Sequence, residues 1–320
     1  MFPGAPQPFI DLSTGINPVA YRVPALPAAL FTRLPSAEAA SALAEIAARA
    51  YGAPSAAHVL VAPGTQILLP MVAGLLLPGR AAVVSPAYGE LARAAELAGH
   101  SVVEISDIAA AGRPQLIFVG NPNNPNGRLF AQSDLLAVAD GLQAHGGLLA
   151  VDEAFMDVGP TDASLAPHVS RDNIVVLRSF GKFFGLPGLR LGFALASPPT
   201  VARIAGLLGP WAVSGAALAV GAQALADTGW IEKARSRLAK SARRLDRMLT
   251  GAGLDIVGGT ALFRLVRTPA AGRLFRHLGR AGILVRHFPQ QTNWLRFGLP
   301  ANEPAWRRLR TALAASEYTR

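Results

Sequence analysis

The spacing of apolar positions divides this chain into two kinds of territory. Ser36 to Tyr51 reads as a helix, with Ser36 placed to cap its start and Gly52 to stop it. Beyond it, apolar runs of strand length occur at His58–Val61, Ala81–Val84, Val102–Ile105, Leu116–Val119, Leu148–Val151, Ile174–Leu177 and Leu191–Ala196. Helical segments with glycine stops separate most of them. Strands buried on both faces and alternating with helices predict an α/β fold with a mainly parallel sheet.

After Pro198 the pattern changes. Long helical runs fill roughly residues 212–249, short strands come next at Leu254–Val257, Leu262–Val266, Ile283–Arg286 and Trp294–Phe297, and a helix near Pro304–Leu313 closes the chain. This predicts a smaller α+β lobe. The opening segment has one short apolar piece and then a Gly/Asn/Pro turn, after which Pro24 and Pro27 keep the backbone extended. The expected organisation is an N-terminal arm at residues 1–34 that completes the small domain, a large domain at 35–210 and a small domain at 211–320.

Composition narrows the class. At 320 residues and 51% hydrophobic content the chain can bury a large core. No apolar run reaches the roughly 18 residues of a membrane span, since Met71–Val84 is broken by Pro78 and Arg80, and Trp211–Ala226 by Ser214 and Gln223. The start, Met-Phe-Pro-Gly, lacks the basic and then apolar order of an export signal, so a cytoplasmic protein with no membrane partner is expected. The absence of cysteine excludes disulfides, Cys-ligated zinc and thiol catalysis, and no metal ligands are assigned. A formal charge of +10 is carried almost wholly by scattered arginines. No basic run is interleaved with aromatics, so the charge points to small anionic substrates and away from nucleic acid.

One lysine is out of character. Of three in the chain, Lys233 and Lys240 lie among arginines and acids at helical spacing, on what reads as a solvated face. Lys182 sits between Phe180, Phe183 and Phe184, with glycines after it. An amine in apolar surroundings either lowers its proton affinity, reacts covalently, or snorkels to water.

Ligands of open α/β sheets bind beyond the carboxyl ends of strands, which directs attention to the residues there. Ala62-Pro-Gly-Thr-Gln66 opens a helix, and the N–H groups around Gly64 and Thr65 suit a phosphate. Ser85-Pro-Ala-Tyr88 offers a ring that either stacks on a heteroaromatic ligand or packs on the body. Gly120-Asn-Pro-Asn-Asn-Pro-Asn-Gly127 concentrates amides at a strand end, for a turn or for hydrogen bonding. Asp152, at the end of a buried strand, demands a cation or donors, whereas the adjacent Glu153 reads as structural. Arg286 and Arg296 fall in adjoining strands of the lobe; an arginine fork matches carboxylate and phosphate, though Arg286 also fits a surface strand position.

Ser179-x-x-Lys182 with Arg190 in Gly-Leu-Arg-Leu-Gly resembles the lysine segment of the aspartate-aminotransferase-like enzymes, the fold type I users of pyridoxal 5'-phosphate. The resemblance spans nearly the whole chain and implies that fold. It implies that Lys182 carries the cofactor, that Ser179 and Arg190 hold its phosphate with Gly64 and Thr65, that Tyr88 stacks on its ring, that Asn124 donates to its ring oxygen, and that Asp152 holds its ring nitrogen protonated. Gly15, Ile16 and Asn17 of the arm become substrate-side candidates beside a plain turn, and Arg286 and Arg296 become anchors for a doubly anionic substrate.

Finer wording, in Ile-Asp-Leu-Ser-Thr-Gly-Ile-Asn-Pro, Ala-Pro-Gly-Thr-Gln and Val-Asp-Glu-Ala-Phe, is similar to the threonine-phosphate decarboxylase branch of cobalamin biosynthesis. This implies a homodimeric lyase acting on an amino-acid phosphate. The alternatives are a histidinol-phosphate-aminotransferase-like enzyme and a non-catalytic regulator or scaffold on the same fold. Two departures stand out: Phe155 replaces a ring-oxygen-donating tyrosine, and Leu34 replaces a tyrosine that reaches the partner subunit's cofactor phosphate.

Overall fold

The computed structural model describes residues 2–314; Met1 and residues 315–320, which the expected arm and small domain reach, lie outside the described residues. Twelve strands occur among the described residues: β1 (Ile10–Leu12), β2 (Val59–Ala62), β3 (Arg80–Val84), β4 (Ser101–Ile105), β5 (Leu116–Gly120), β6 (Leu148–Asp152), β7 (Ile174–Ser179), β8 (Gly192–Leu195), β9 (Asp255–Thr260), β10 (Phe263–Arg267), β11 (Ile283–His287) and β12 (Trp294–Gly298). Each apolar run singled out in the sequence forms one of these.

The chain divides into two compact units, Met1–Ala20, Pro125–Gly127 and Glu232–Arg320 forming the smaller, Tyr21–Asn124 and Arg128–Ile231 the larger. The boundary falls within helix Thr228–Gly251. Helix Gly215–Ala226, assigned from sequence to the small domain, therefore belongs to the larger unit.

In the larger unit seven strands run in the order β2-β8-β7-β6-β5-β3-β4. All neighbours are parallel except those of β8, which is antiparallel to both β2 and β7. Burial on both faces explains the unbroken apolar runs: every residue of β5 is buried, as are Leu148 to Val151 of β6. Phe118, Leu116, Val83, Ala150, Val175 and Leu177 lie at the centre of this core. Helix Ala37–Tyr51 begins where Ser36 accepts the Ala39 N–H at 3.2 Å and ends at Gly52, whose φ of 77° suits glycine. It packs on Gly215–Ala226 so closely that a Cβ on Gly221 would stand 3.3 Å from Leu43 and 2.5 Å from Leu191.

The smaller unit holds a five-stranded sheet in the order β1-β11-β12-β10-β9, with only β1 and β11 parallel. Its sheet is thus completed by the N-terminal arm, Ile10 lying opposite Ile283. Helix Thr228–Gly251 buries Ala234, Leu238, Ala242, Leu245 and Leu249 along one stripe and leaves Lys233 and Lys240 exposed, as an amphipathic helix should. Among the described residues no helix is long and apolar enough to cross a membrane.

Candidate active site

The larger sheet gathers most of the candidate residues at one edge. Because β8 runs antiparallel between β2 and β7, its first residue, Gly192, lies opposite the last residues of both, Ala62 and Ser179. The loop carrying Gly64 and Thr65, the residue Ser179 and the turn carrying Arg190 therefore converge. Bare backbone is required there: a Cβ on Gly192 would lie 2.8 Å from the Thr65 nitrogen, and one on Gly64, at φ +90°, would lie 3.0 Å from Arg190 Nη2. The next helix begins only at Leu68 and spans six residues. An anion at this edge is accordingly met by loop amides, the Ser179 hydroxyl and the Arg190 guanidinium more than by a helix dipole.

Lys182 stands in the short helix Phe180–Phe183 directly after β7. Aromatic packing fixes that helix. Phe180 stacks on Phe184 at 4.3 Å between ring centroids, Phe184 stacks on Trp230 at 5.4 Å, and Tyr21 closes edge-on against both Phe184 and Trp230. The three phenylalanines that drew attention in the sequence are thus a clamp for the backbone around the lysine, which is itself half-buried. Its Nζ lies 5.8 Å from the centroid of the buried Phe155 ring.

Asp152 is the last residue of β6, opposite Gly120 of β5 and Leu177 of β7. Burial pushes its carboxyl up to about 6, against the pull of the Ala154 N–H and the Lys182 ammonium, while the Glu153 carboxylate adds to the rise. Ala154 donates to Asp152 Oδ1 at 3.1 Å.

The asparagine loop after β5 divides its labour. Asn121 is fully buried and bridges Phe130 and Ala163, its amide donating to both carbonyls and its oxygen accepting the Phe130 N–H at 2.9 Å. Asn123 donates to the Pro86 carbonyl at 2.7 Å, tying this loop to the turn after β3. Those two build the loop, and Asn124 is left half-buried at its rim. Tyr88, in the turn so tied, is 40% exposed and donates its hydroxyl to Gln66 at 3.1 Å.

Beneath this edge lies a feature that sequence reasoning missed. Arg178 is buried, donates to Glu153 at 3.0 Å and to Asp157 at 2.6 Å, and lies 4.3 Å over the Tyr51 ring. Asp157 and Glu153 hold its proton more tightly than usual, whereas burial raises Glu153 and Tyr51. Glu153 also accepts from Ser164 at 2.7 Å and the Leu165 N–H at 2.8 Å, consistent with a structural residue. The signal available was an arginine inside an apolar strand run, which cannot be buried without acids.

In the smaller unit Arg286 and Arg296 are register partners across β11 and β12. Arg286 is exposed. Arg296 is buried and donates to the Ser13 carbonyl at 2.9 Å, so the arm lies against it. Burial and the neighbouring Arg286 lower its proton affinity to about 10. Asn17 is buried and accepts the Val19 N–H at 3.0 Å, shaping the turn; Ile16 beside it is half-buried.

The larger unit's arrangement suits a flat heterocycle with a phosphate at one end and a basic nitrogen at the other. Side-chain-free backbone beside a guanidinium is of the kind that cradles a phosphate, and a buried carboxyl with raised proton affinity is of the kind that pairs with a basic nitrogen. An amine stands in reach of the same carboxylate's field. Among the described residues no cluster of acids and histidines is placed to hold a metal.

The model of aminotransferases of class I and II matches residues 27–309. A threonine-phosphate decarboxylase of a Sinorhizobium species is 44% identical over 98% of this chain and 94% of its own. That of Pseudomonas aeruginosa is 44% identical over 95% of this chain and 91% of its own. The solved histidinol-phosphate aminotransferase of Sinorhizobium meliloti, in complex with pyridoxal-5'-phosphate, superposes with a TM-score of 0.82 over 95% of this chain and 89% of that one; at 22% identity it speaks for the fold alone.

Proposed function

The chain belongs to the class I and II aminotransferase family, and within it we propose a pyridoxal-phosphate-dependent lyase that decarboxylates L-threonine O-3-phosphate to (R)-1-aminopropan-2-yl phosphate in cobalamin biosynthesis. Near-full-length likeness to two threonine-phosphate decarboxylases carries this choice of reaction.

Lys182 would carry the cofactor and Asp152 would accept the hydrogen bond of its ring nitrogen. Asn124 would donate to the ring oxygen, Tyr88 would stack on the ring, and Gly64, Thr65, Ser179 and Arg190 would hold the phosphate. When bound, the cofactor supplies a cationic conjugated ring that takes up the electrons of a bond broken at the substrate's α-carbon.

Which bond breaks depends on how the substrate's anionic groups are anchored. Arg286 and Arg296 are assigned the substrate's anionic groups, two guanidinium groups suiting a phosphate dianion and a carboxylate. Ile16 and Asn17 are assigned the substrate side with them. Lys182 would hold a proton on Nζ for delivery to the α-carbon in place of the departing carboxylate. Phe155 beside that amine offers no hydroxyl to compete for the proton.

A homodimer in the cytoplasm is part of the same reading. Phe31 and Leu34, 67% and 68% exposed on one short stretch, are apolar surface of the kind a second copy covers. A monomer in sedimentation would remove that element.

The reaction is tested by supplying purified protein and cofactor with threonine phosphate. Stoichiometric carbon dioxide release is expected, and a Lys182→Ala variant should lose it by about 10²- to 10⁴-fold. Keto-acid formation without carbon dioxide would make the protein an aminotransferase instead.

A further inference from the structure

Asp152 lies opposite Leu177, two residues before Ser179, so strand alternation puts Asp152 and Ser179 on one face of the sheet and Glu153 and Arg178 on the other. Arg178 therefore stands behind the residues assigned to the cofactor and cannot touch it. Its bonds nevertheless join the two strand ends that matter. Nη1 donates to Glu153, the neighbour of Asp152, and Nη2 to Asp157 in the next turn of chain. The residue after Arg178 is Ser179, and Lys182 lies just beyond it in the short helix.

We propose that Arg178 is a positioning residue for the decarboxylation: it holds the ends of β6 and β7 together and, by neutralising Glu153, sets the electrostatic potential felt at Asp152 and Lys182. The proposal rests on the reading of the site as a pyridoxal phosphate site.

The charges involved are few. Asp152 feels Lys182 and Glu153, together with the Ala154 amide dipole. Arg178 feels Asp157, Glu153 and the Tyr51 hydroxyl. One guanidinium and two carboxylates give the buried network a net charge of −1. Removing the guanidinium makes it −2, neutralising Glu153 alone makes it 0, and doing both restores −1. Negative charge behind the site favours the protonated forms in front of it. The two single changes must therefore act in opposite directions, and the double change must cancel.

The experiment titrates the visible absorbance of the Lys182-bound cofactor with pH in purified holoenzyme. In Glu153→Gln the midpoint should fall by about 0.5 pH or more, in Arg178→Met it should rise by a similar amount, and in the double variant it should return to the wild-type value. Glutamine keeps the shape of Glu153 and one acceptor oxygen, its amide NH₂ replacing the other acceptor, so this variant carries the test alone if Arg178→Met does not fold. An unchanged or raised midpoint in a Glu153→Gln holoenzyme with native circular dichroism overturns the proposal. A wild-type protein that gains no visible band on adding pyridoxal phosphate would fail the cofactor reading instead, which keeps the two failures apart.

Discussion

Two buried arginines, one in each unit, have opposite electrostatic fates. Arg178 lies between Glu153 and Asp157, and their charges hold its proton more tightly than usual. Arg296 is buried to a similar degree but stands opposite Arg286, and its proton affinity drops to about 10. Burying a charge is tolerable only when it is compensated. Arg178 is compensated by the fold itself. Arg296 has the Arg286 guanidinium opposite it, with the Ser13 carbonyl and the Phe263 ring as its other contacts. The difference separates a cation paired with acids inside the fold from one assigned, in the proposed function, to a ligand.

Arg178→Met and Arg296→Met put the largest strain on that distinction. Loss of the Arg178 guanidinium leaves Glu153 and Asp157 buried without it, and breaking such a pair costs about 3–5 kcal/mol of stability. Loss of Arg296 relieves repulsion with Arg286 at the expense of its contacts with the Ser13 carbonyl and the Phe263 ring, so the loss of stability should be about 1–2 kcal/mol, below that for Arg178. Chemical denaturation of the two variants measures both. Equal destabilisation would erase the contrast drawn between them.

Kinetics sharpens the same contrast from the other side. Arg296→Met should raise KM for threonine phosphate about 10- to 100-fold, the worth of one charged hydrogen bond, and Arg286→Met should do so to a smaller extent because that side chain is exposed. The effect should weaken with added salt for Arg286 more than for Arg296. An unchanged KM in both would remove the anion-binding role.

The contrast also shows how far the sequence could be read. Strand cores were legible because strands buried on both faces leave uninterrupted apolar runs, as Leu116 to Val119 and Leu148 to Val151 do. Asp152 stood out for a related reason, as a carboxylate at the end of such a strand, whereas Ser179 stood out only through the resemblance of its segment to a known lysine motif. The helix after Gly64 starts later than its sequence suggests because Thr65 to Ile67 form a turn before Leu68. Helix Gly215–Ala226 falls in the other unit because nothing in an apolar helix says which sheet it covers. Tyr51, Asp157, Ser164 and Arg178 come from separate segments, and only tertiary packing brings them to one place. Arg178 was passed over as the residue just beyond an apolar run, and of its partners only Glu153 reads as structural in the sequence.

Asp152 extends the comparison within the larger unit, as the negative counterpart of Arg296. Burial raises its carboxyl to about 6, well above the value of an unfolded chain, so the folded protein binds the extra proton between roughly pH 4 and pH 6. Stability from this group is therefore full below pH 4 and is lost as pH rises through 6. In cofactor-free protein, Asp152→Asn should match the wild type near pH 4 and exceed its stability by about 1–3 kcal/mol at pH 7.5. Saturating pyridoxal phosphate should cancel the advantage, because the protonated ring nitrogen supplies the missing counter-charge only to the aspartate. Thermal unfolding of both proteins across this range, with and without cofactor, decides the matter. An asparagine variant less stable than the wild type at pH 7.5 without cofactor would mean that Asp152, like Arg178, is already compensated by the fold.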